Sequence, residues 1–398
     1  MTKFFPDYHL LASHVIILNV LKSKNMNLPK NAILLLVIIF IFVATAFWVT
    51  VFLSNKNKVM LGADIVEEGG SEFNKTINNM DKIIQNDKMK NKSAEILFAG
   101  DLMLDRYMRT LIDKKGGEYL TRDIKNLFLE RDLNVLNLEG PITGNSSVSL
   151  GTETREAGHF KFTFDKEMAR NFLIDNKIGA VNLGNNHILN FGEAGVRETV
   201  EFLKENKIDY FGSPLDDKNA YTEKEINGLK IALVCYNRFY NLGSENAINK
   251  IKDAKSKNDL AIVYTHWGNE YELVQSEIQQ KIAHSFVEAG ADLIIGTHPH
   301  VVQPLEIYKN KVIFYSLGNF VFDQFFSEDV RDELLVGASF AQGKTEFVLT
   351  PIYRRSDGSL ELSVEERRKK LLERLARDSI VADSLREKIK TGKFEVVN

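Results

Sequence analysis

The sequence predicts an α/β fold, in which strands and helices alternate along the chain and pack in layers. Short apolar runs of β-strand character recur across residues 94–353, and helical patterns separate several of them. Polar clusters follow several of these runs, at the positions where open α/β sheets place their binding sites. The 398-residue chain is 44% hydrophobic and 26% charged, which is sufficient for one large domain or two moderate ones.

The first element is an uncharged segment at residues 32–53, composed almost wholly of Ile, Leu, Val, Phe and Ala. At about 1.5 Å per residue it is long enough to cross a hydrocarbon core of roughly 30 Å. We interpret it as an uncleaved membrane-spanning helix, because a buried core helix normally shows a polar face and a signal peptide has a shorter apolar core. A slight lysine bias places residues 1–31 in the cytoplasm. The chain is then a single-pass protein of the cell membrane with an extracellular C-terminal domain.

Met26 begins a compact lead into this helix, so we expect translation to start at Met26 and residues 1–25 to be an upstream extension from Met1. Residues 54–93 are polar and form a linker. Residues 94–353 form the α/β domain, and residues 354–398 form a helical tail.

Within the domain, apolar runs predict strands at residues 95–99, 135–138, 180–183, 231–236, 260–265, 293–296 and 312–316. Apolar residues at intervals of three and four predict helices at residues 193–205 and 275–289, which cover one face of a sheet. An extended stretch follows at residues 348–353, and residues 364–377 read as a charged amphipathic helix with a structural role.

Charge and cysteine content exclude several classes of function. The net charge of −3 and the absence of a basic stripe interleaved with aromatic residues argue against binding to nucleic acid. The single cysteine, Cys235, lies in an apolar run and is most simply a buried core residue. Disulfide bonds and cysteine catalysis are therefore not expected.

Polar residues at the ends of β-like runs are the candidates for a functional site. They are Asp101, Glu139, Asn186, His187, His266, His298 and His300. Two imidazoles on either side of Pro299 have no use in core packing and suit a metal ion. A lone Glu139 between an apolar strand and a Gly-Pro turn requires a cation to offset its desolvation. Carboxylate, amide and imidazole groups together predict a mixed oxygen and nitrogen metal site.

Other interpretations of these residues remain open at this stage. Asp101 is also a suitable turn residue after Gly100. The Asn186–His187 pair suits a turn built by amide side chains, and His266 can cap a strand through a hydrogen bond. Arg106 and Arg109, which share one face of the helix after Asp101, are either ordinary surface charges or partners of carboxylates.

Six ordered motifs resemble the CapA-type capsule synthesis family over residues 95–353. They are FAGDLML at 98–104, NLEGP at 137–141, GNNH at 184–187, HWGNEY at 266–271, GTHPH at 296–300 and SLGNF at 316–320. The resemblance implies a metallophosphatase-like (calcineurin-like) fold, a layered β-sandwich flanked by helices. It also implies a role in the synthesis or export of a capsule polymer such as poly-γ-glutamate at the cell surface.

The same resemblance assigns roles to the candidate residues and implies one or two divalent ions of Mn, Mg, Zn or Fe. Asp101 corresponds to the first aspartate of the wider metallophosphatase pattern, Glu139 to the carboxylate that bridges two metals, and Asn186 to an amide ligand. The imidazole ligands are His266, His298 and His300, and His187 supports the transition state without binding metal. Where that pattern has a histidine, this chain has Met103, so the first metal site is expected to be weak, single or empty.

Three functions follow from this site. A metal-dependent phosphoesterase or hydrolase would use the metal to activate water, with His187 supporting the reaction. An isomerase or ligase would use Asp101 and either His298 or His300 as acid and base. A non-catalytic module would bind an anionic capsule polymer through Arg106, Arg109 and the histidines. The expected partners are the lipid bilayer, an anionic capsule polymer and membrane subunits of a polymer synthesis complex.

Overall fold

Two sheets form the centre of the part of the chain that this computed structural model describes, residues 92–215, 221–240, 243–341 and 343–397. The first sheet contains β1 (Ala94–Leu102), β2 (Leu133–Leu138), β3 (Ile178–Asn182), β4 (Asp209–Phe211), β11 (Asn319–Val321), β12 (Asp332–Ala341), β13 (Lys344–Arg354), β14 (Leu360–Leu362) and β15 (Lys393–Val397). The second sheet contains β5 (Tyr221–Ile226), β6 (Leu229–Asn237), β7 (Leu260–His266), β8 (Leu293–Thr297), β9 (Leu305–Tyr308) and β10 (Lys311–Phe314).

The strand orders place the parallel strands together, on one side of the first sheet and at the centre of the second. The first sheet runs β14-β13-β12-β1-β2-β3-β4, with β11 paired to β1 and β15 paired to β13. The second runs β5-β6-β7-β8-β10-β9. In the first, β1, β2, β3 and β4 are parallel, and in the second, β6, β7, β8 and β10 are parallel. The carboxyl ends of each parallel set therefore meet at one edge.

Helices cover the outer faces of both sheets. They are α1 (Arg106–Lys115), α2 (Glu118–Thr121), α3 (Asn126–Leu129), α4 (Lys166–Asp175), α5 (Gly192–Glu205), α6 (Ser244–Lys257), α7 (Glu277–Ala289), α8 (Glu365–Asp378) and α9 (Asp383–Thr391). Helices α1 to α5 pack on the first sheet and α6 and α7 on the second, while α8 and α9 pack against the core between the sheets. The predicted α/β class is confirmed, with the layers in the order helix, sheet, sheet, helix.

Local sequence explains several of these elements. The central strands are buried on both faces, which is why they read as continuous apolar runs without alternation. Asp165 caps α4 by accepting hydrogen bonds from the backbone amides of Glu167 and Met168 at 2.9 and 3.0 Å. Ser276 and Gln279 form a capping box at the start of α7, and Gly290, with φ 114°, ends it.

The seven predicted strands and three predicted helices are all present, and Cys235 is buried as expected. The segment at residues 354–398 contains the predicted helix but also β14 and β15, which pair with β13. The predicted membrane helix at residues 32–53, the cytoplasmic segment and nearly all of the linker lie outside the described residues. Within the described ranges, no helix combines the length and apolarity needed to cross a bilayer.

Candidate metal centre

A row of polar side chains crosses the carboxyl ends of the parallel strands in the first sheet. Asp101, Asn137 and Asn182 occupy neighbouring register positions on β1, β2 and β3. Asn137 Nδ2 donates to Asp101 Oδ1 at 2.7 Å, and Asn182 Nδ2 donates to Asn137 Oδ1 at 2.9 Å. Glu139 follows β2 directly and is fully buried. Parallel pairing thus places two buried carboxyl groups at one edge of this sheet.

The second sheet supplies a matching row. Asn237, His266 and Thr297 lie in register at the ends of β6, β7 and β8. Deep between the sheets, the Tyr264 hydroxyl donates to the Ala99 carbonyl at 2.6 Å, which ties β7 to β1. The two rows therefore face each other across the interface between the sheets.

The loop after β8 carries two histidines in an unusual backbone conformation. His298 and His300 have φ angles of 94° and 58°, in the left-handed region that residues other than glycine seldom adopt. The His298 amide donates to Asp101 Oδ2 at 3.1 Å, and the Tyr271 amide donates to the Pro299 carbonyl at 2.8 Å. Contacts from both sides hold the loop in this strained form, which is common at functional sites.

Imidazoles surround both buried carboxyl groups. His266 Nδ1 lies 3.9 Å from Asp101 Oδ1, and His300 Nδ1 lies 3.4 Å from Asp101 Oδ2. His300 Nε2 and His187 Nε2 lie 3.7 and 3.9 Å from Glu139 Oε1. Three strand ends and the loop after β8 thus contribute to one cluster.

Asn186 and His298 join the cluster beside His266. The Asn186 Oδ1 atom lies 2.8 Å from His266 Nε2. The ring centroids of His266 and His298 are 4.8 Å apart, and Phe239 covers His298 at 4.3 Å. The structure therefore brings all seven predicted site residues together.

Burial determines the charge state of the cluster. Desolvation, followed by the negative charge of Asp101, raises the pKa of Glu139 well above its ordinary value. Desolvation lowers the pKa of His187 to about 4 and that of His298 to about 3, and it lowers the pKa of His266 well below its ordinary value. Imidazoles that stay neutral keep a lone pair, which is the form that binds metal.

Three buried atoms indicate what this cluster is built to hold. Both carboxyl oxygens of Glu139 and Nδ1 of His298 have no hydrogen-bond partner among the described residues. Possible ligand atoms form two groups, within each of which they lie no more than 4.8 Å apart: Asp101, Glu139 and His266, and Glu270, His298 and His300. Buried polar groups normally find partners, so a cation of the Zn, Mn or Fe type fits these donors.

Neighbouring residues orient the imidazoles. His266 Nδ1 lies 3.0 Å from Thr297 Oγ1, whose hydroxyl donates to the Thr265 carbonyl at 2.8 Å. Since that hydroxyl hydrogen is already used, Thr297 accepts the proton of Nδ1 when Nε2 carries the lone pair. His300 Nδ1 lies 2.9 Å from Asn319 Oδ1, which favours the same tautomer. Such outer contacts are typical of histidine ligands.

His187 is held differently from the other histidines. Its Nδ1 lies 3.1 Å from Asn190 Oδ1, which also accepts a hydrogen bond from the Phe162 amide at 2.7 Å. The His187 ring stacks on Phe162 with centroids 4.3 Å apart. His187 Nδ1 therefore carries the proton and donates it in a hydrogen bond to Asn190 Oδ1, and Nε2 faces the cluster as a proton acceptor.

Met103 stands where the wider metallophosphatase pattern has a histidine. Met103 is fully buried, and its sulfur accepts a hydrogen bond from the Asp105 amide at 3.0 Å.

Arg106, one of the two arginines considered as surface charges, is buried and donates from Nε to Asp323 at 3.0 Å. Arg109 donates to Asp105 Oδ1 at 3.1 Å. Both arginines meet carboxylates of the chain itself.

Two residues near the cluster were not among the predicted site residues. Glu270 is exposed, yet it brings a carboxylate oxygen within ligand distance of His298 and His300. It lies in the HWGNEY motif, which ends before the next glutamate, Glu272, but the motif alone did not assign it a ligand role. His159 Nε2 lies 2.9 Å from an Arg106 Nη atom, and its polar loop gave no signal.

Residues 95–324, more than half of the chain, match the family described as bacterial capsule synthesis protein PGA_cap. The chain belongs to this family. The resemblance to CapA-type proteins that the six motifs suggested is thereby confirmed.

Relatives within the family carry matching descriptions. The chain is 32% identical to the PGA biosynthesis protein CapA of Bacillus subtilis (strain 168), over 67% of this chain and 73% of the relative. It is 30% identical to the capsule biosynthesis protein CapA of Bacillus anthracis, over 62% of this chain and 64% of that relative. A probable polyglutamine synthesis accessory protein of Mycobacterium tuberculosis is 28% identical over 35% of this chain and 44% of its own length.

Proposed function

We propose that this protein acts in the synthesis or export of an anionic capsule polymer such as poly-γ-glutamate, through a metal-dependent hydrolytic site in a metallophosphatase-like domain. Family membership and the names of the relatives support the polymer class. The observation that carries the hydrolytic site is the fully buried Glu139, whose carboxyl oxygens lack a hydrogen-bond partner in the described ranges and lie among three imidazoles.

The proposed ligands are Asp101, Glu139, Asn186, His266, His298 and His300. A divalent ion held there would polarise a substrate oxygen and lower the pKa of a water. His187 enters as a neutral base, because burial lowers its pKa to about 4 and Asn190 takes the Nδ1 proton. Nε2 is then free to accept a proton from an attacking water and to return it to a leaving group.

A purely binding module receives less support from the charges. Arg106 is paired with Asp323 and Arg109 with Asp105, so neither guanidinium offers its full charge to a polyanion. The negative charge of Asp101 also repels one. We therefore place the hydrolytic function ahead of the binding function.

The proposed setting is the cell membrane. Residues 32–53 would anchor the chain with its C-terminal domain outside the cell, beside the membrane subunits of a polymer synthesis complex. Its partners would then be the bilayer, the polymer and those subunits, with no role for nucleic acid.

Metal analysis of the full-length chain in mild detergent tests the proposal. Elemental mass spectrometry, followed by assays on phosphoesters and on γ-glutamyl polymer, should find bound divalent metal and turnover. His298→Ala should lose both. His284→Ala, whose imidazole contacts Glu306 at 2.8 Å outside the cluster, should keep both. Absence of metal and of turnover, with polymer binding retained, would reject the hydrolase in favour of the binding module.

A further inference from the structure

The turn after β7 is shaped to present one exposed carboxylate to the cluster. Gly268 has φ 89°, and a Cβ there would lie 2.8 Å from Gln279 Nε2, so the turn requires glycine. Tyr271 has φ 66°, and its amide is bonded to the Pro299 carbonyl at 2.8 Å. Glu270 lies between these two points and is therefore held against the histidine loop.

Glu270 lies close to His298, a buried histidine with a ring nitrogen that has no hydrogen-bond partner among the described residues. One carboxylate oxygen of Glu270 and one ring nitrogen from each of His298 and His300 lie within 4.8 Å of one another. His298 is only 4% exposed, and its Nδ1 has no hydrogen-bond partner within the described part of the chain. A buried imidazole nitrogen without a partner, on a residue of this group, is an observation independent of the acidic residue itself.

This group adjoins the deeper one of Asp101, Glu139 and His266. His300 connects them, because its Nδ1 lies 3.4 Å from Asp101 and its Nε2 lies 3.7 Å from Glu139. Metal pairs in hydrolases share ligands over about 4 Å. His300, which belongs to one group and contacts two members of the other, meets this requirement.

At the position of the first-motif imidazole, this chain has Met103, which offers no strong metal ligand. Met103 is buried among apolar residues, and its sulfur is bonded to the Asp105 amide. A thioether is in any case a weak ligand for hard divalent ions. A carboxylate from another element could restore the lost ligand and would add a negative charge.

We propose that Glu270 is the solvent-side ligand of a second divalent cation, held with His298 and His300 beside the deeper group, and that it replaces the imidazole absent at Met103. This inference rests on the proposed metal centre and extends it. The charge of Glu270 also contributes to raising the pKa of Glu139, which places the two carboxyl groups in one electrostatic environment. One carboxylate and two imidazoles form a known ligand set for Zn²⁺ and Fe²⁺ and also suit Mn²⁺.

Manganese binding measures this directly, without an activity assay. The full-length chain in mild detergent is stripped with chelator and titrated with Mn²⁺ by calorimetry, and the spin coupling of adjacent ions is followed by electron paramagnetic resonance. We expect two Mn²⁺ per chain and a coupled spectrum. Glu270→Gln should bind one ion, or bind the second at least about tenfold more weakly, and should lose the coupling.

Glu272→Gln is the matched control, because it removes the same charge two residues along on an equally exposed side chain. It should bind as the wild type does. A wild-type stoichiometry of one overturns the second cation, and unchanged binding by Glu270→Gln overturns Glu270 as its ligand. Either result leaves the proposed centre standing. No binding by the wild type overturns the proposed centre and this inference together.

Discussion

At the scale of single residues, the site is marked by a buried carboxyl group that lies among imidazoles and has no hydrogen-bond partner in the described ranges. Glu139 is fully buried and, within the described ranges, accepts no hydrogen bond at either oxygen. Leaving such a group unpaired costs several kcal/mol unless a cation or a proton offsets it. This free-energy cost fits a carboxyl group that is placed to bind a ligand.

Cys235 shows the opposite use of burial, since it packs in the core between the sheets and takes no part in the cluster. Desolvation raises its pKa to about 12, so the thiolate that reacts with alkylating agents forms only far above neutral pH. We expect iodoacetamide to leave the folded chain unmodified from pH 7 to pH 9 and to modify it fully in denaturant. Intact-mass measurement reports both states, and stoichiometric labelling of the folded chain would contradict the buried thiol.

Sequence reasoning could identify most of the site at this scale but not all of it. His298 and His300 flank a proline directly after an apolar strand, and that pattern has few structural explanations. Glu270 is one of two glutamates on either side of Tyr271, and only the backbone geometry singles it out. A sequence does not report a left-handed φ at Tyr271 or a hydrogen bond to a loop about thirty residues away.

At the scale of elements, the site depends on how closely two strands approach. Strand β1 pairs with β11 at Asp101 and Asn319, and the Asp101 amide donates to the Gly318 carbonyl at 3.2 Å. Asn319 also orients His300, so the pairing of β1 with β11 positions the Asp101 carboxylate and the His300 imidazole together. Gly100 makes the approach possible because a Cβ there would overlap the Gly318 carbonyl oxygen, and Gly318 itself adopts a φ of 74°.

Gly100→Ala should therefore destabilise the fold and disturb the site. The added Cβ would overlap the Gly318 carbonyl oxygen and lie 2.8 Å from its carbon, which is backbone that cannot move aside. We expect a loss of about 3 kcal/mol in the free energy of unfolding, measured by denaturant titration. Gly243→Ala is the control, since its φ is −47° and no atom lies within 4 Å of the new Cβ. An equal effect of both changes would show that the Gly318 backbone does not lie close to Gly100.

Most parallel strands buried on both faces were predicted, whereas the edge strands and the buried antiparallel strand β12 were not. Runs such as β7 and β8 are almost wholly apolar, so each signals a strand by itself. Strand β5 lies at an edge and alternates between exposed and half-buried residues, so its charged sequence resembles a loop. Strand β15 follows two helices and pairs with β13 only because the chain returns to the first sheet.

At the scale of the whole molecule, the chain builds the first sheet, leaves it for the second and then returns. Strands β1 to β4 belong to the first sheet, β5 to β10 to the second, and β11 to β15 to the first again. Alternating strands and helices predict the α/β class but do not assign a strand to a sheet. That assignment depends on distant contacts such as the bond from Tyr264 to Ala99.

The division into two sheets also predicts how a metal affects the stability of the whole domain. Ligands from both sheets would be joined by one ion, so binding should stabilise the native state against unfolding. At 100 times the Kd of Mn²⁺ we expect the free energy of unfolding to rise by about 2.7 kcal/mol, and chelator should reverse the gain. Denaturant titration of the full-length chain in mild detergent, followed by tryptophan fluorescence, measures the change, because Trp267 is buried next to His266.

Glu139→Gln should raise the free energy of unfolding of the metal-free chain and lower the gain that Mn²⁺ brings. The variant therefore separates metal binding from intrinsic stability. Without metal, the variant should be more stable than the wild type by about 1 kcal/mol, since a buried acidic group with no partner is replaced by a neutral amide of the same size. With Mn²⁺ it should gain little, because the deeper group loses one of its two carboxyl ligands. Glu277→Gln, on an exposed side chain of α7, should match the wild type in both conditions. If Glu139→Gln destabilises the metal-free chain, or gains as much from Mn²⁺ as the wild type, Glu139 is a structural residue and the centre lies elsewhere.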